Sequence, residues 1–157
     1  MQETGGRRIK RSIYIDISSI KFLTTEMIER FDKFHLIANY LATKKSEIEE
    51  YNSSLKIDHS DFVNGRRLTN IGTFREYVKA YLHNRKDIDK NLTFLVRQLS
   101  PSPEGLPIEI YVFANTTAWV KYEEIQSDIF DHLMAVVPEF ELKVFQNPTG
   151  NDFKKLN

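Results

Sequence analysis

The residues best suited to chemistry in this 157-residue chain form two small groups. Asp128 and His132 are four residues apart in a predicted helix, so both side chains would project from one face and could share a metal ion or a proton. The stretch Asp58-His59-Ser60-Asp61 contains the residue types of a nucleophilic triad. Two ligands do not complete a metal site, and consecutive loop residues do not easily converge on one another. We therefore interpret the first group as a surface pair and assign no metal site.

Motifs that bind phosphate, activate a nucleophile or ligate zinc are absent from the sequence. There is no Gly-x-x-x-x-Gly-Lys-Ser/Thr, Gly-x-Gly-x-x-Gly, Gly-x-Ser-x-Gly or His-Glu-x-x-His. The chain contains no cysteine, which excludes a disulfide, a thiol nucleophile and cysteine-ligated zinc. We predict that the chain has no catalytic residues, is not an enzyme and needs no cofactor.

The charge is balanced overall but uneven along the chain. The 22 basic and 22 acidic residues give a formal net charge of zero, which argues against a surface built to neutralise many phosphates. The first segment is nevertheless basic, and a basic end on a neutral domain indicates a junction with a missing piece. The longest apolar run, Leu133 to Val137, is far shorter than the roughly 20 residues of a membrane span. We do not expect this chain to cross a bilayer by itself.

Hydrophobic periodicity predicts seven secondary-structure elements, four strands and three helices, which would position the side chains described above. Strands are predicted at 13–17, 92–98, 107–115 and 141–146, and helices at 25–51, 71–82 and 117–136, with N-caps at Thr25, at Asn70 or Thr73, and at Thr117. The first helix is long and charged, and a polar linker at 52–65 follows it. If the long helix is set aside as an insertion, the order is βαββαβ. This order predicts an α+β fold of the ferredoxin-like kind, an antiparallel sheet with helices on one face.

The second face of this predicted sheet is unusually apolar. So much apolar area is seldom left bare on a monomer, and either the long helix and linker or a partner would cover it. We identify a candidate subunit interface there, which lies beside Arg97, Glu109 and Lys143 and consists of Tyr14, Leu95, Tyr111, Phe113 and Phe145.

Aromatic residues on an open sheet face also occur in RNA-recognition modules, where they stack on bases. The stretch at 108–113 lacks the glycine and the leading basic residue of that family's central-strand motif, and the net charge is zero. We therefore expect no nucleic acid as a partner. The alternative function for this chain is that of a freestanding ligand- or RNA-binding module.

Several stretches of the sequence resemble the small-conductance mechanosensitive channel (MscS) family. They are Gly-Gly-Arg-Arg-Ile-Lys-Arg at 5–11, Arg-Leu-Thr-Asn-Ile-Gly-Thr-Phe-Arg-Glu-Tyr at 67–77 and Leu-Pro-Ile-Glu-Ile-Tyr at 106–111. The run from Trp119 to Gln146 continues the similarity, which spans nearly the whole chain. Within the family, the branch that these stretches resemble is the YbdG-type miniconductance channels.

The resemblance implies an inner-membrane channel that opens under bilayer tension and releases ions and solutes during hypo-osmotic stress. Such proteins have transmembrane helices, then a small β-rich domain, then a cytoplasmic α/β domain. Residues 1–12 would be the tail of the β-rich domain, and 13–153 the cytoplasmic domain with a helical insertion and linker at about 25–65. The implied partners are other subunits of a homo-oligomer, a heptamer in the well-known member, and the membrane through missing N-terminal helices. Pore and gating residues lie outside this chain, so none is transferred.

Overall fold

A computed structural model describes residues 6–147, where the chain forms a three-stranded antiparallel sheet and four α-helices. The predicted α+β class is confirmed. The strands are β1 (Arg7–Ile15), β2 (Leu95–Gln98) and β3 (Leu106–Ala114), and the helices are α1 (Thr25–Phe31), α2 (Ala38–Ser54), α3 (Asn70–His83) and α4 (Trp119–Val136). Short 3-10 turns lie at Ile17–Ser19, His35–Ile37 and Val137–Phe140.

The sheet has the strand order β1-β3-β2, with β3 in the centre. β1 pairs with β3 along its whole length, from Arg7 opposite Ala114 to Ile15 opposite Leu106. The strand therefore begins at Arg7, earlier than the predicted start at Ile13. On one side of this ladder the apolar residues are buried beneath the helices, as Ile9 and Ile13 show with at most 1% exposure. We call this side the helix face.

The predicted fourth strand at 141–146 is reduced to a single bridge, between Ile15 and Val144. Glu141 has a left-handed conformation (φ 56°) at the end of the last 3-10 turn. The chain therefore pairs with β1 only after this residue, over a short segment. Two backbone hydrogen bonds flank the bridged residue pair and form the bridge, from Asp16 N to Lys143 O and from Phe145 N to Tyr14 O, both 2.8 Å. The sheet therefore has three strands, and the exact ferredoxin-like topology is not confirmed.

The prediction of one long helix at 25–51 is wrong, because the chain breaks between α1 and α2. Phe34 is extended (φ −81°, ψ 104°) and the turn His35–Ile37 follows it. The break allows Phe31 and Phe34 to approach the same ring, that of Phe140, with centroid distances of 5.1 and 5.4 Å. Packing the buried Phe31 and the half-buried Phe34 against one core ring explains why the helix is interrupted without a glycine or proline.

The N-caps lie one or more residues from the predicted positions. Thr24 caps α1 by accepting a hydrogen bond from Met27 N (3.2 Å), and Thr69 caps α3 by accepting one from Gly72 N (3.1 Å). The N-cap of α4 is Ala118, which has no side-chain acceptor. The threonines adjacent to the first two helices are the capping residues that such positions favour.

Two buried asparagines organise the loops around the helices. Asn70 is fully buried; its Oδ1 accepts from Lys21 N and its Nδ2 donates to Ser19 O, both at 2.9 Å. Asn52 is 3% exposed and pairs with the backbone of Arg66, accepting from its N (2.8 Å) and donating to its O (3.0 Å). The predicted linker at 52–65 is thus closed at its base, since Asn52 joins its two ends.

The helices are held together by a phenylalanine cluster around Phe140. This ring is fully buried. Besides Phe31 and Phe34, it contacts Phe74 and Tyr77 of α3 at centroid distances of 5.6 and 5.5 Å. The cluster joins α1, α3 and the last 3-10 turn on the helix face of the sheet.

Candidate functional site

The side of the sheet turned away from the helices carries the residues predicted as a subunit interface. We call this side the second face. It is formed by alternate residues of the three strands, namely Arg8, Lys10, Ser12 and Tyr14 of β1, Leu95 and Arg97 of β2, and Pro107, Glu109, Tyr111 and Phe113 of β3. Phe145 adjoins it, because its N–H donates to the carbonyl oxygen of Tyr14.

The five candidate interface residues differ in exposure. Tyr14 is 36% and Leu95 38% exposed, whereas Tyr111 and Phe145 are half-buried. Phe113 is only 2% exposed and lies beside Tyr111, with ring centroids 6.0 Å apart. Phe113 therefore presents almost no area to a partner and can contribute only by supporting its neighbour.

The strand register divides these residues into two patches. Leu95 lies directly opposite Tyr111, and Tyr14 directly opposite Pro107. Tyr111 and Pro107 are four residues apart on β3, a separation of about 13 Å along a strand. The structure thus brings Leu95, Tyr111 and Phe113 together, and places Tyr14 with Phe145 in a second patch.

Two cations flank the first patch. Lys10 Nζ lies 5.1 Å and Arg8 Cζ 6.0 Å from the centroid of the Tyr111 ring. Both side chains are exposed, and among residues 6–147 neither takes part in an ion pair. Sequence reasoning missed them because the strand was expected to begin at Ile13. Ile9 lies on the same face as Ile13, four residues earlier in the chain. Including Ile9 in the apolar alternation would have predicted an earlier start of the strand.

An ion pair separates the two patches. Arg97 donates to Glu109 Oε1 from Nε (2.9 Å) and from a terminal nitrogen (2.8 Å). Glu109 is 7% exposed in the central strand, where an unpaired carboxylate would be costly. The pair neutralises the middle of the second face, so the positive charge around Tyr111 comes from Arg8 and Lys10.

The insertion does not lie over the second face in the described part of the chain. The buried residues of α1 and α2, such as Met27, Phe31 and Leu41, belong to the core cluster on the helix face. The sequence alone allows the predicted long helix to cover the second face, but its residues in α1 and α2 pack on the opposite side of the sheet.

The two groups of residues that the sequence singled out for possible chemistry make separate local contacts in the structure. Asp128 accepts a hydrogen bond from Arg85 (2.6 Å), whereas His132 Nε2 bonds the hydroxyl of Tyr77 (2.7 Å). Asp58 accepts from the backbone N–H of Ser60 (2.9 Å), which lowers the pKa of its carboxyl group and closes a local turn. Within residues 6–147, no three side chains of the metal-binding types are grouped.

Arg85 is the centre of a polar network at the end of α3. It donates to both carboxylate oxygens of Asp87 (2.9 and 2.7 Å) and to the hydroxyl of Tyr81 (2.9 Å). The hydrogen bonds from Arg85 hold the pKa of Asp87 below its ordinary value, and those to Asp87 raise the pKa of Arg85. Burial raises the pKa of Tyr81.

This network predicts an acid-dependent loss of stability. Since the folded-state pKa of Asp87 lies below its unfolded value of about 3.9, its contribution is present above that pH and is lost as the pH falls through the folded pKa. We expect Asp87→Asn to lower the free energy of unfolding by about 1–2 kcal/mol at neutral pH, and by less in acid. Urea titrations at pH about 7 and pH about 3 measure this difference. Asp61→Asn is the exposed control, and an equal effect of Asp87→Asn at both pH values would contradict the prediction.

No helix within residues 6–147 is both long and apolar enough to span a membrane.

Residues 68–144 match the family described as "Mechanosensitive ion channel MscS, C-terminal". The matched segment, just under half of the chain, runs from just before α3 to the bridge residue Val144. It includes β2, β3 and α4 and therefore two of the three strands that form the second face. The match supports the MscS family, which is a channel family and not an enzyme family.

Proposed function

We propose that this chain is the cytoplasmic C-terminal domain of a tension-gated channel, of the YbdG-type miniconductance branch of the MscS family. In this proposal the subunits form a homo-oligomer, by analogy a heptamer, whose cytoplasmic domains enclose a vestibule. The complete protein lies in the inner membrane and releases ions and solutes during hypo-osmotic stress. The observation that carries the proposal is the family match over residues 68–144.

The proposed domain organisation keeps 1–12 as the stretch that leads in from a β-rich domain, and 13–153 as the cytoplasmic domain. Residues 7–12 already pair with β3, so the incoming chain would enter the sheet directly. The end of the second range lies outside the described residues. The insertion at about 25–65 corresponds to α1, α2 and the loop closed by Asn52.

The channel proposal is tested by the genomic reading frame that contains this sequence. We expect apolar segments of about 20 residues upstream of Met1, followed by a β-rich segment. Expressed in a strain without mechanosensitive channels, the complete frame should give currents that rise with suction on a membrane patch. A reading frame that starts at Met1, or a membrane-inserted product without such currents, would contradict the proposal.

Within this proposal, the second face is the surface on which subunits meet. Tyr14, Leu95 and Tyr111 offer exposed or half-buried apolar area, and Phe113 and Phe145 support it. Tyrosine and arginine are enriched among the residues that carry most of the binding energy of an interface. The self-cover by α1 and α2 is not available, because both helices lie on the helix face.

The interface is tested by removing its first patch. We expect the double substitution Leu95→Ser and Tyr111→Ser to weaken self-association of the chain by about 30-fold or more, that is by about 2 kcal/mol. Sedimentation equilibrium measures the association constant. The control is Tyr51→Ser with Leu55→Ser on and beyond α2, because these residues are of the same types and are exposed (43% and 56%) away from the second face. Equal association of the two double variants would remove the second face from the proposal.

The alternative, a freestanding RNA-binding module, uses the same face, because Lys10 and Arg8 flank Tyr111. It predicts that a labelled single-stranded oligonucleotide binds the chain, that salt weakens the binding, and that Tyr111→Ser abolishes it. Salt-dependent binding without suction-activated currents would favour this alternative over the channel.

A further inference from the structure

Besides the second face of the sheet, the outward side of α4 is an exposed surface that combines apolar and acidic residues. α4 packs on the helix face through Ile125, Ile129 and Leu133, all at most 3% exposed. Its opposite side borders a shallow depression of about 480 Å³. We call this side the α4 outer face; it consists of Trp119, Val120, Glu123, Glu124, Ser127, Asp128 and Asp131.

The α4 outer face combines apolar area with negative charge. Trp119 is 57% and Val120 70% exposed. Among residues 6–147, Asp128 pairs with Arg85, but Glu123, Glu124 and Asp131 take part in no ion pair.

The indole of Trp119 is positioned by a neighbouring strand. The guanidinium of Arg7 lies 4.5 Å from the centroid of Trp119 and 5.0 Å from that of Tyr122. The hydroxyl of Tyr122 donates to the carbonyl oxygen of Arg8 (2.6 Å), which ties the start of α4 to β1. A large aromatic side chain that is held in place before binding is typical of an interface anchor, since little side-chain entropy is lost on contact.

The two surfaces are complementary. The second face presents Leu95 and Tyr111 beside two cations, and the α4 outer face presents an apolar end beside three carboxylates; none of these five charged side chains takes part in an ion pair within residues 6–147. We propose that the second face of one copy of this chain contacts the α4 outer face of the next copy. This inference rests on the proposed function, because it specifies how neighbouring subunits meet.

The geometry requires that this contact join different copies. α4 covers the helix face of the sheet, so its outward side and the second face lie on opposite sides of one domain. A contact between two different surfaces repeats from copy to copy, and it closes into a ring when the rotation allows. A symmetric contact of second face with second face centred on Tyr111 would instead bring the Lys10 and Arg8 side chains of the two copies together, and like charges across an interface are unfavourable.

Charge reversal with rescue tests this contact on the 157-residue chain. We expect Lys10→Glu and Glu124→Lys each to weaken self-association about tenfold or more, measured by sedimentation at low salt. The double variant K10E/E124K exchanges the two charges across every contact and should restore association. In K10E/E50K, the control, the second reversal lies on the exposed side of α2 and should not restore it. We also expect about 0.5 M NaCl to weaken association of the unmodified chain.

Three results would overturn the inference. If K10E weakens association but K10E/E124K does not restore it, the second face meets another surface, and the proposed function stands. If neither single reversal changes association, charge does not join these two faces. If the unmodified chain stays monomeric at millimolar concentration, the contact is absent, and the suction-activated currents of the complete reading frame still decide the channel proposal separately.

Discussion

Replacing Phe140 by alanine is expected to lower the free energy of unfolding by about 3–5 kcal/mol. The ring is fully buried and contacts Phe31, Phe34, Phe74 and Tyr77 at centroid distances from 5.1 to 5.6 Å. Its removal takes away apolar area and leaves a cavity between α1, α3 and the last 3-10 turn. A loss of this size is a large part of the total stability of a domain of this length.

Urea unfolding followed by circular dichroism measures the effect of Phe140→Ala. Phe62→Ala is the matched control, because Phe62 is 50% exposed and stacks only loosely on Phe22, with ring centroids 6.0 Å apart. We expect the control to cost about 1 kcal/mol or less. Comparable losses in the two variants would show that the phenylalanine cluster does not join the helices as described.

Asn70→Ala is expected to cost about 2–4 kcal/mol, because it removes three hydrogen bonds of a fully buried side chain and leaves partly buried backbone groups without partners. The side chain accepts from Lys21 N and donates to the carbonyl oxygens of Ser19 and Glu141, at 2.9, 2.9 and 3.3 Å. These bonds join the start of α3 to the chain after β1 and to the chain after the last 3-10 turn. We expect the loosening to reach the bridge between Ile15 and Val144, because Glu141 directly precedes that segment.

Hydrogen exchange and thermal unfolding of the same variant measure these effects. Asn70→Asp keeps the acceptor for Lys21 N but turns a charged oxygen toward the carbonyl oxygens of Ser19 and Glu141, so at neutral pH it should cost at least as much as Asn70→Ala. Asn91→Ala, at an exposed position, is the control. If Asn70→Ala lowers the stability no more than Asn91→Ala does, Asn70 does not hold these segments together.

Local patterns in the sequence predicted the elements whose partners are close in the chain. The alternation in β2 and β3, with a proline- and glycine-containing turn between them, gave the hairpin. The apolar spacing in α3 and α4 gave both helices, and Pro138 marked the end of α4 at Val136. These elements depend on period and on turn residues, which are readable without tertiary contacts.

The break between α1 and α2 was not predictable from local pattern. The apolar spacing continues through it because both helices face the same core, and Phe140, which draws in Phe31 and Phe34, is more than a hundred residues away. The linker shows the same limit, since Asn52 and Arg66 read as solvated loop residues until the fold pairs them.

The candidate interface was predicted in part. The alternation placed Tyr14, Leu95 and Tyr111 on one face, as the register shows. The same alternation predicted that Phe113 would be exposed on this face, but its side chain is only 2% exposed. The cations beside Tyr111 escaped notice because four basic residues at 7, 8, 10 and 11 look like a solvated tail, and only pairing with β3 reveals which of them share its face.

The full-length pairing of β1 has a mechanical consequence. The hydrogen bonds of an antiparallel ladder lie perpendicular to its strands. A force applied at Arg7 along the strand axis therefore loads the pairs from Arg7–Ala114 to Ile15–Leu106 together, in shear, instead of opening them one at a time. A pull at right angles would unzip the same ladder from its Ala114 end. The first strand can thus transmit a force along its axis to the central strand of the sheet, whereas a force perpendicular to the strand separates it from β3 more easily.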